Sequence, residues 1–147
     1  MLHKVETQWM GKMQFNALID GHTIVMDAPV KSGGEENGSI PKPLLLTALS
    51  GCTGMDIIAL LRKEKKEIKG FDMVVTGNTS KTIPVVYTDA HLSFNFSGDD
   101  ESKDAAIQAV ITSQEKLCGV SNMLKKVMTL SWDIYYNNQK VFQHTNQ

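Results

Sequence analysis

Apolar positions recur with two different periods along this chain. His3, Val5, Thr7 and Trp9 share one parity, and so do Met13, Phe15, Ala17 and Ile19, which is the pattern of half-buried strands. Asp20-Gly21 then supplies a two-residue turn whose central positions need positive φ, so His22 to Met26 is predicted to return as a third strand. Residues 28–41, with Gly33-Gly34 and Asn37-Gly38, are poor in apolar side chains and read as a loop. A long apolar run follows from Pro41 to Glu67, through Leu44, Leu45, Leu46, Leu49, Met55, Ile57, Ile58, Leu60 and Leu61. It exceeds strand length, and Pro43 suits a first helical position where its missing N–H costs nothing, so a helix is predicted. Its apolar residues point all round, which requires cover on most sides. A membrane span is the rival reading, against which Thr47, Ser50, Gly51, Thr53, Gly54 and Asp56 interrupt the run.

Gly70 permits a stop for that helix, after which Phe71, Met73 and Val75 alternate as a strand. The clearest alternation is Val86, Thr88, Ala90, Leu92, Phe94 and Phe96 against Tyr87, Asp89, His91, Ser93 and Asn95, with Pro84 in the preceding connection. Ser97-Gly98-Asp99-Asp100 ends the sheet and caps a helix whose stripe is Ala106, Ile107, Val110, Ile111, Gln114 and Leu117. Gly119 is placed for a left-handed cap, Ser121 for the start of a short helix to about Met128, and Leu130, Trp132, Ile134 and Tyr136 for a last strand. The order β-β-β-α-β-β-α-α-β is an α+β arrangement, without the regular β-α-β alternation of a parallel sheet.

Bulk properties narrow the function classes. At 147 residues the chain is predicted to form one domain, 1–147, and a net charge of −1 gives no footprint for nucleic acid or a membrane surface. The basic run Arg62 to Lys66 contains Glu64 and is followed by Glu67, which suits a solvated helix end. Two cysteines and a start, MLHKVETQWM, without an apolar signal segment fit a reducing cytoplasm. Covering an all-apolar helix with so few residues favours self-association, so a homodimer sharing this helix as core is expected.

The chemistry rests on Cys52, in G-C-T-G-M-D, and Cys118, in K-L-C-G-V-S. They form no C-x-x-C motif, and His3, His22, His91 and His144 show no ligand spacing, so neither a metal nor another cofactor is expected. Cysteine by itself is an ordinary buried residue. Two features favour a reactive pair: small residues Ser50, Gly51 and Gly54 leave space around Cys52, and Cys118 falls between two helices where a thiol can move. If the sulfurs come within bridging distance, the pair can cycle between dithiol and disulfide through a sulfenic acid on Cys52.

The block P-K-P-L-L-L-T-A-L-S-G-C-T-G-M-D-I, with E-K-L-C-G-V-S-N-M-L far downstream, resembles the OsmC/Ohr family of organic-hydroperoxide reductases, most closely its OsmC-like branch. The resemblance runs from the D-G hairpin to the final W-D-I strand. It implies an OsmC-like fold, with antiparallel sheets around a long central helix, in an intertwined homodimer with active sites at the subunit boundary. It further implies that Cys52 is the peroxidatic nucleophile and Cys118 the resolving thiol, that the substrate is a small organic hydroperoxide, and that a dithiol donor, often a lipoylated protein, recycles the disulfide. The sequence departs from the family where a Glu follows the first helix proline, here Pro43, and in an N-terminal Arg. Its sole arginine is Arg62, ten residues or about 15 Å along a helix from Cys52, too far to reach that thiol in its own subunit. Lys12 and His22 are the candidate substitutes, and Met55 and Met123 would suit a soft apolar pocket or plain core. The competing reading is a dimeric scaffold or small-ligand binder that keeps the fold without the reaction.

Overall fold

Three short strands fold first in chain order: β1 (Glu6–Gly11), β2 (Gln14–Ile19) and β3 (His22–Met26), an antiparallel sheet in that spatial order. Asp20 and Gly21 hold φ of 50° and 81°, and Ile19 pairs with His22 across the turn, as the hairpin signal requires. The following loop gathers around Asp27, which is buried and accepts N–H bonds from Ala28, Glu35 and Asn37 at 2.8, 3.0 and 3.1 Å. Burial pushes this carboxyl up, but the three backbone donors and Lys12 outweigh it and hold it below its ordinary value. Gly34 is required by close approach, since a Cβ there would lie 1.9 Å from the Ala28 carbonyl oxygen. The structure, a computed structural model, describes residues 1–145. It divides the chain into two compact units, Met1–Leu45 and Leu46–Gln147.

Helix α1 (Leu44–Lys63) opens on a turn in which Leu44 and Leu45 donate to the carbonyls of Pro41 and Lys42, leaving Pro43 just ahead of the first helical residue. It ends at a left-handed lysine: Lys65 has φ 55°, and Lys66 N–H reaches back to Leu61 at 2.9 Å. The stop expected at Gly70 is thus corrected. Gly70 is the first residue of β4 (Gly70–Thr79), where a Cβ would meet Ser97 Oγ at 2.7 Å. Only the stripe Leu49, Thr53, Ile57 and Leu61 of α1 is buried, and Met55 is 76% exposed. Length and composition alone would let α1 cross a membrane, yet Leu49, Ile57 and Leu61 of that stripe belong to the core of the second unit.

β4 pairs antiparallel with β5 (Tyr87–Ser97), and β6 (Thr129–Tyr136) pairs antiparallel with β7 (Gln139–His144), in the order β4-β5-β6-β7. Between β5 and β6 the pairing is parallel, so the sheet is mixed where only antiparallel sheets were expected. The crossover consists of α2 (Lys103–Thr112), one π turn (Ser113–Leu117) and α3 (Gly119–Leu124). Gly119 therefore starts a helix and does not end one, and the residue capping α3 is Cys118 where Ser121 was expected. The alternation in β5 and β6 is realised: Ala90, Leu92, Phe94 and Phe96, with Leu130, Trp132, Ile134 and Tyr136, join α1 and α2 residues in one core. The fold is α+β, as the element order predicted.

Candidate active site

Two segments far apart in sequence meet beside α1. The helix presents Cys52, Thr53 and Asp56 within just over one turn, with Thr53 fully buried and the other two half-buried. The other wall is the end of the crossover. There the Cys118 N–H bonds to the Ser113 carbonyl at 2.9 Å, five residues back, closing a wide turn that directs Ser113 and Gln114 inward. The backbone at Cys118 is extended (φ −64°, ψ 106°), and its Sγ accepts the Ser121 N–H at 3.3 Å at the start of α3.

The sulfurs of Cys52 and Cys118 and a carboxylate oxygen of Asp56 consequently lie within 4.8 Å of one another. Both thiols are free, Cys118 being 1% exposed and Cys52 half-buried. A chain of buried hydrogen bonds fixes the inner thiol. Ser121 Oγ donates to Gln114 Oε1 at 3.0 Å, Gln114 Nε2 to Thr53 Oγ1 at 3.0 Å, and Thr53 Oγ1 to Cys118 Sγ at 3.4 Å. Ser113 Oγ orients Asp56 by donating to its Oδ2 at 3.1 Å.

Electrostatics differ across the pair. Burial pushes the Cys118 thiol up; the Thr53 and Ser121 donors oppose this, and neighbouring Cys52 adds to it. Lys125 donates to the Gln114 carbonyl and lies 5.3 Å over the Trp132 ring. Burial pulls its ammonium down, while Glu115 and Cys118 favour the charged form. Lys125 thus stands on the Cys118 side of the pair, in electrostatic contact with that thiol.

Of the other candidates, Met55 lines an apolar groove of about 580 Å³ that runs along α1 from Ser50 to Arg62, with Phe71 and Met73 of β4 beside it. Cys52 is not among the residues lining that groove, and neither is Met123, which is 63% exposed. Lys12 and His22 both belong to the first unit. Lys12 sits in the β1–β2 turn with φ 47° and pairs with Glu35 at 2.6 Å, and His22 is an exposed residue opening β3. Thr53, Ser113, Gln114, Ser121 and Lys125 were not singled out as site residues from sequence. Gln114 did carry a signal, as a polar residue on an apolar stripe.

Comparison with known proteins places this geometry in context. A family model described as OsmC-like protein matches residues 33–133. The protein YhfA of Escherichia coli K12 is 27% identical over 129 residues, covering 87% of this chain and 93% of its own length. A crystal structure of a hypothetical protein from Aquifex aeolicus superposes with a TM-score of 0.77 at 26% identity, over 93% of this chain and 98% of that one. An organic hydroperoxide resistance protein OsmC from Legionella pneumophila superposes with a TM-score of 0.68 at 15% identity, over 92% and 98% of the two chains, a likeness of fold.

Proposed function

The chain belongs to the OsmC-like protein family, and from that premise we propose that it is a thiol peroxidase acting on small organic hydroperoxides. The observation that carries the proposal is the asymmetric pair: two free thiols within 4.8 Å, one half-buried and one 1% exposed. A hydroperoxide can approach Cys52, whereas Cys118 is positioned only to follow. The Cys52 thiolate attacks the outer peroxide oxygen, the O–O bond breaks, and the departing alkoxide takes a proton to leave as an alcohol. Cys118 then attacks the resulting sulfenic sulfur, an S–S bond forms, and hydroxide leaves as water after protonation. An external dithiol, such as a lipoylated protein, restores both thiols by disulfide exchange. Met55 and the groove beside it would receive the organic part of the substrate. Lys12 and His22 are the proposed replacements for the family's N-terminal arginine. The cycle belongs in the cytoplasm, in a homodimer that covers the exposed apolar side of α1, including Leu45 and Met55.

A second reading, a scaffold or apolar-ligand binder, draws on a specific observation: the sole arginine, Arg62, lines the groove from which Cys52 is absent. One measurement separates the two. After one equivalent of an alkyl hydroperoxide, intact mass should fall by two hydrogens in the wild type and rise by one oxygen in Cys118→Ser. An unchanged wild-type mass, with thiols still titratable, would reject the peroxidase and favour the binder.

A further inference from the structure

We propose that the reduced site is also a zinc site, in which Cys52, Cys118 and Asp56 hold one thiophilic divalent cation and leave its fourth position open to water. The three ligand atoms already lie within 4.8 Å of one another, and they are the cluster of this kind found among the described residues. Tetrahedral Zn–S bonds of about 2.3 Å place two sulfurs roughly 3.8 Å apart, so closing around an ion requires movements of about 1 Å. Cys52 and Asp56 stand four residues apart on α1, the spacing that puts two side chains on one helix face. Cys118 supplies the third ligand from the opposite wall.

The surroundings have the form of an outer shell. Ser113 Oγ orients the carboxylate at 3.1 Å, and Cys118 Sγ accepts from Ser121 N–H and Thr53 Oγ1 at 3.3 and 3.4 Å. Half-buried Cys52 and Asp56 leave an entry side, while Cys118 lies beneath. Charge also closes. Two thiolates, a carboxylate and a divalent cation sum to one negative charge, which Lys125, already within electrostatic reach of Cys118, offsets. Binding forms two Zn–S bonds and one Zn–O bond and releases the two thiol protons to solvent, without oxidation. Both sulfurs are then committed to the ion, so the occupied site is held in its reduced form.

This inference rests on the geometry of the cluster and does not depend on peroxide chemistry. The test uses the full chain, reduced with a phosphine and kept anaerobic. Titration with cobalt(II) should develop a near-ultraviolet thiolate-to-metal charge-transfer band and strong visible bands of a tetrahedral ion, saturating at about one per chain and lost when zinc is added. Cys52→Ser and Cys118→Ser should each remove most of the charge-transfer intensity, and Asp56→Asn should weaken binding roughly tenfold or more, the fold being checked by circular dichroism. Zinc should slow alkylation of both thiols, with chelation restoring the rate. Absence of the band in folded reduced protein, binding unchanged in Cys118→Ser, or full affinity in Asp56→Asn would overturn the proposal. None of these readouts uses a hydroperoxide, so a peroxidase that binds no zinc and a zinc-binding protein without peroxidase activity are told apart.

Discussion

Removing Gln114 should unfasten the inner thiol. The residue is 1% exposed and joins Ser121 to Thr53 by two 3.0 Å hydrogen bonds, and Thr53 in turn donates to Cys118 Sγ. In Gln114→Ala the Ser121 hydroxyl loses its acceptor and the Thr53 oxygen loses its donor, both in fully buried positions. Each orphaned group costs about 1–3 kcal/mol, and the space left by the amide adds to that, so a loss of roughly 4 kcal/mol is expected. For a chain this size that corresponds to a fall of about 8–16 °C in Tm. Urea unfolding under reducing conditions, with the m-value unchanged, measures it directly. Thr53→Val keeps the shape and removes the hydroxyl, so a double-mutant cycle between the two positions should yield a coupling of about 1–2 kcal/mol. Strict additivity within about 0.5 kcal/mol, or a single-mutant loss below about 1 kcal/mol, would refute the claim that this chain of bonds holds the site together.

Three other outcomes follow from individual environments. Because burial raises the Cys118 thiol above its ordinary 9.0, its alkylation rate in Cys52→Ser should climb about tenfold per pH unit from neutrality and show no plateau by pH ~9; a plateau near neutrality would contradict this. Asp133 is pushed up by burial, but bonds from Ser93 at 2.6 Å and Lys140 at 3.3 Å, together with His91 at 3.4 Å, outweigh that and keep its carboxyl below 3.8. Its contribution is therefore complete above the unfolded pKa of about 4 and lost as pH falls through the lower folded value, so wild type and Asp133→Asn should differ most above pH ~5 and converge in acid. Equal separation at every pH would exclude the mechanism. In Gly34→Ala the new Cβ meets the Ala28 carbonyl at 1.9 Å and Asp27 Oδ1 at 2.8 Å, so the Asp27 loop must open and its protection from hydrogen exchange should fall; unchanged exchange would show that the loop absorbs the methyl.

What the sequence made legible follows from which interactions are local. Period-two alternation in Ala90 to Phe96 reports burial of one sheet face directly, and Asp20-Gly21 dictates its turn through backbone sterics. The hairpin partner β7 was overlooked although Asn137 and Asn138, at φ 49° and 63°, are residues that tolerate that region, because Gln139 to His144 is too polar to read as a strand. The parallel pairing of β5 and β6 has no local code, since the same helix pattern serves a hairpin or a crossover. In the π turn the Cys118 N–H bonds the Ser113 carbonyl five residues back, and composition does not encode that choice. The approach of Cys52 to Cys118 was likewise beyond the spacing and came from resemblance alone. Gln114 is the instructive case: the pattern reads it only as a member of the helix stripe, and a polar side chain at such a position is the signal that a buried partner is needed.

The position of Lys125 bears on the departure from the family's arginine. A cation that lowers a thiol's pKa gains thiolate but loses intrinsic nucleophilicity, so its larger use in peroxide cleavage lies in stabilising the departing alkoxide. Within the second unit, the lysine whose charge reaches the pair stands on the Cys118 side, tied to the Gln114 carbonyl and stacked over Trp132. There Lys125 and Cys118 interact electrostatically, each favouring the charged form of the other, while burial pushes the thiol up. Closure of the disulfide has a further advantage, because a nucleophile held within 4.8 Å of its target acts at an effective concentration no free thiol attains. The two steps of the proposed cycle are thus unequally supported: the scaffold prepares the closing step, and O–O cleavage carries the cost of the arginine that is absent.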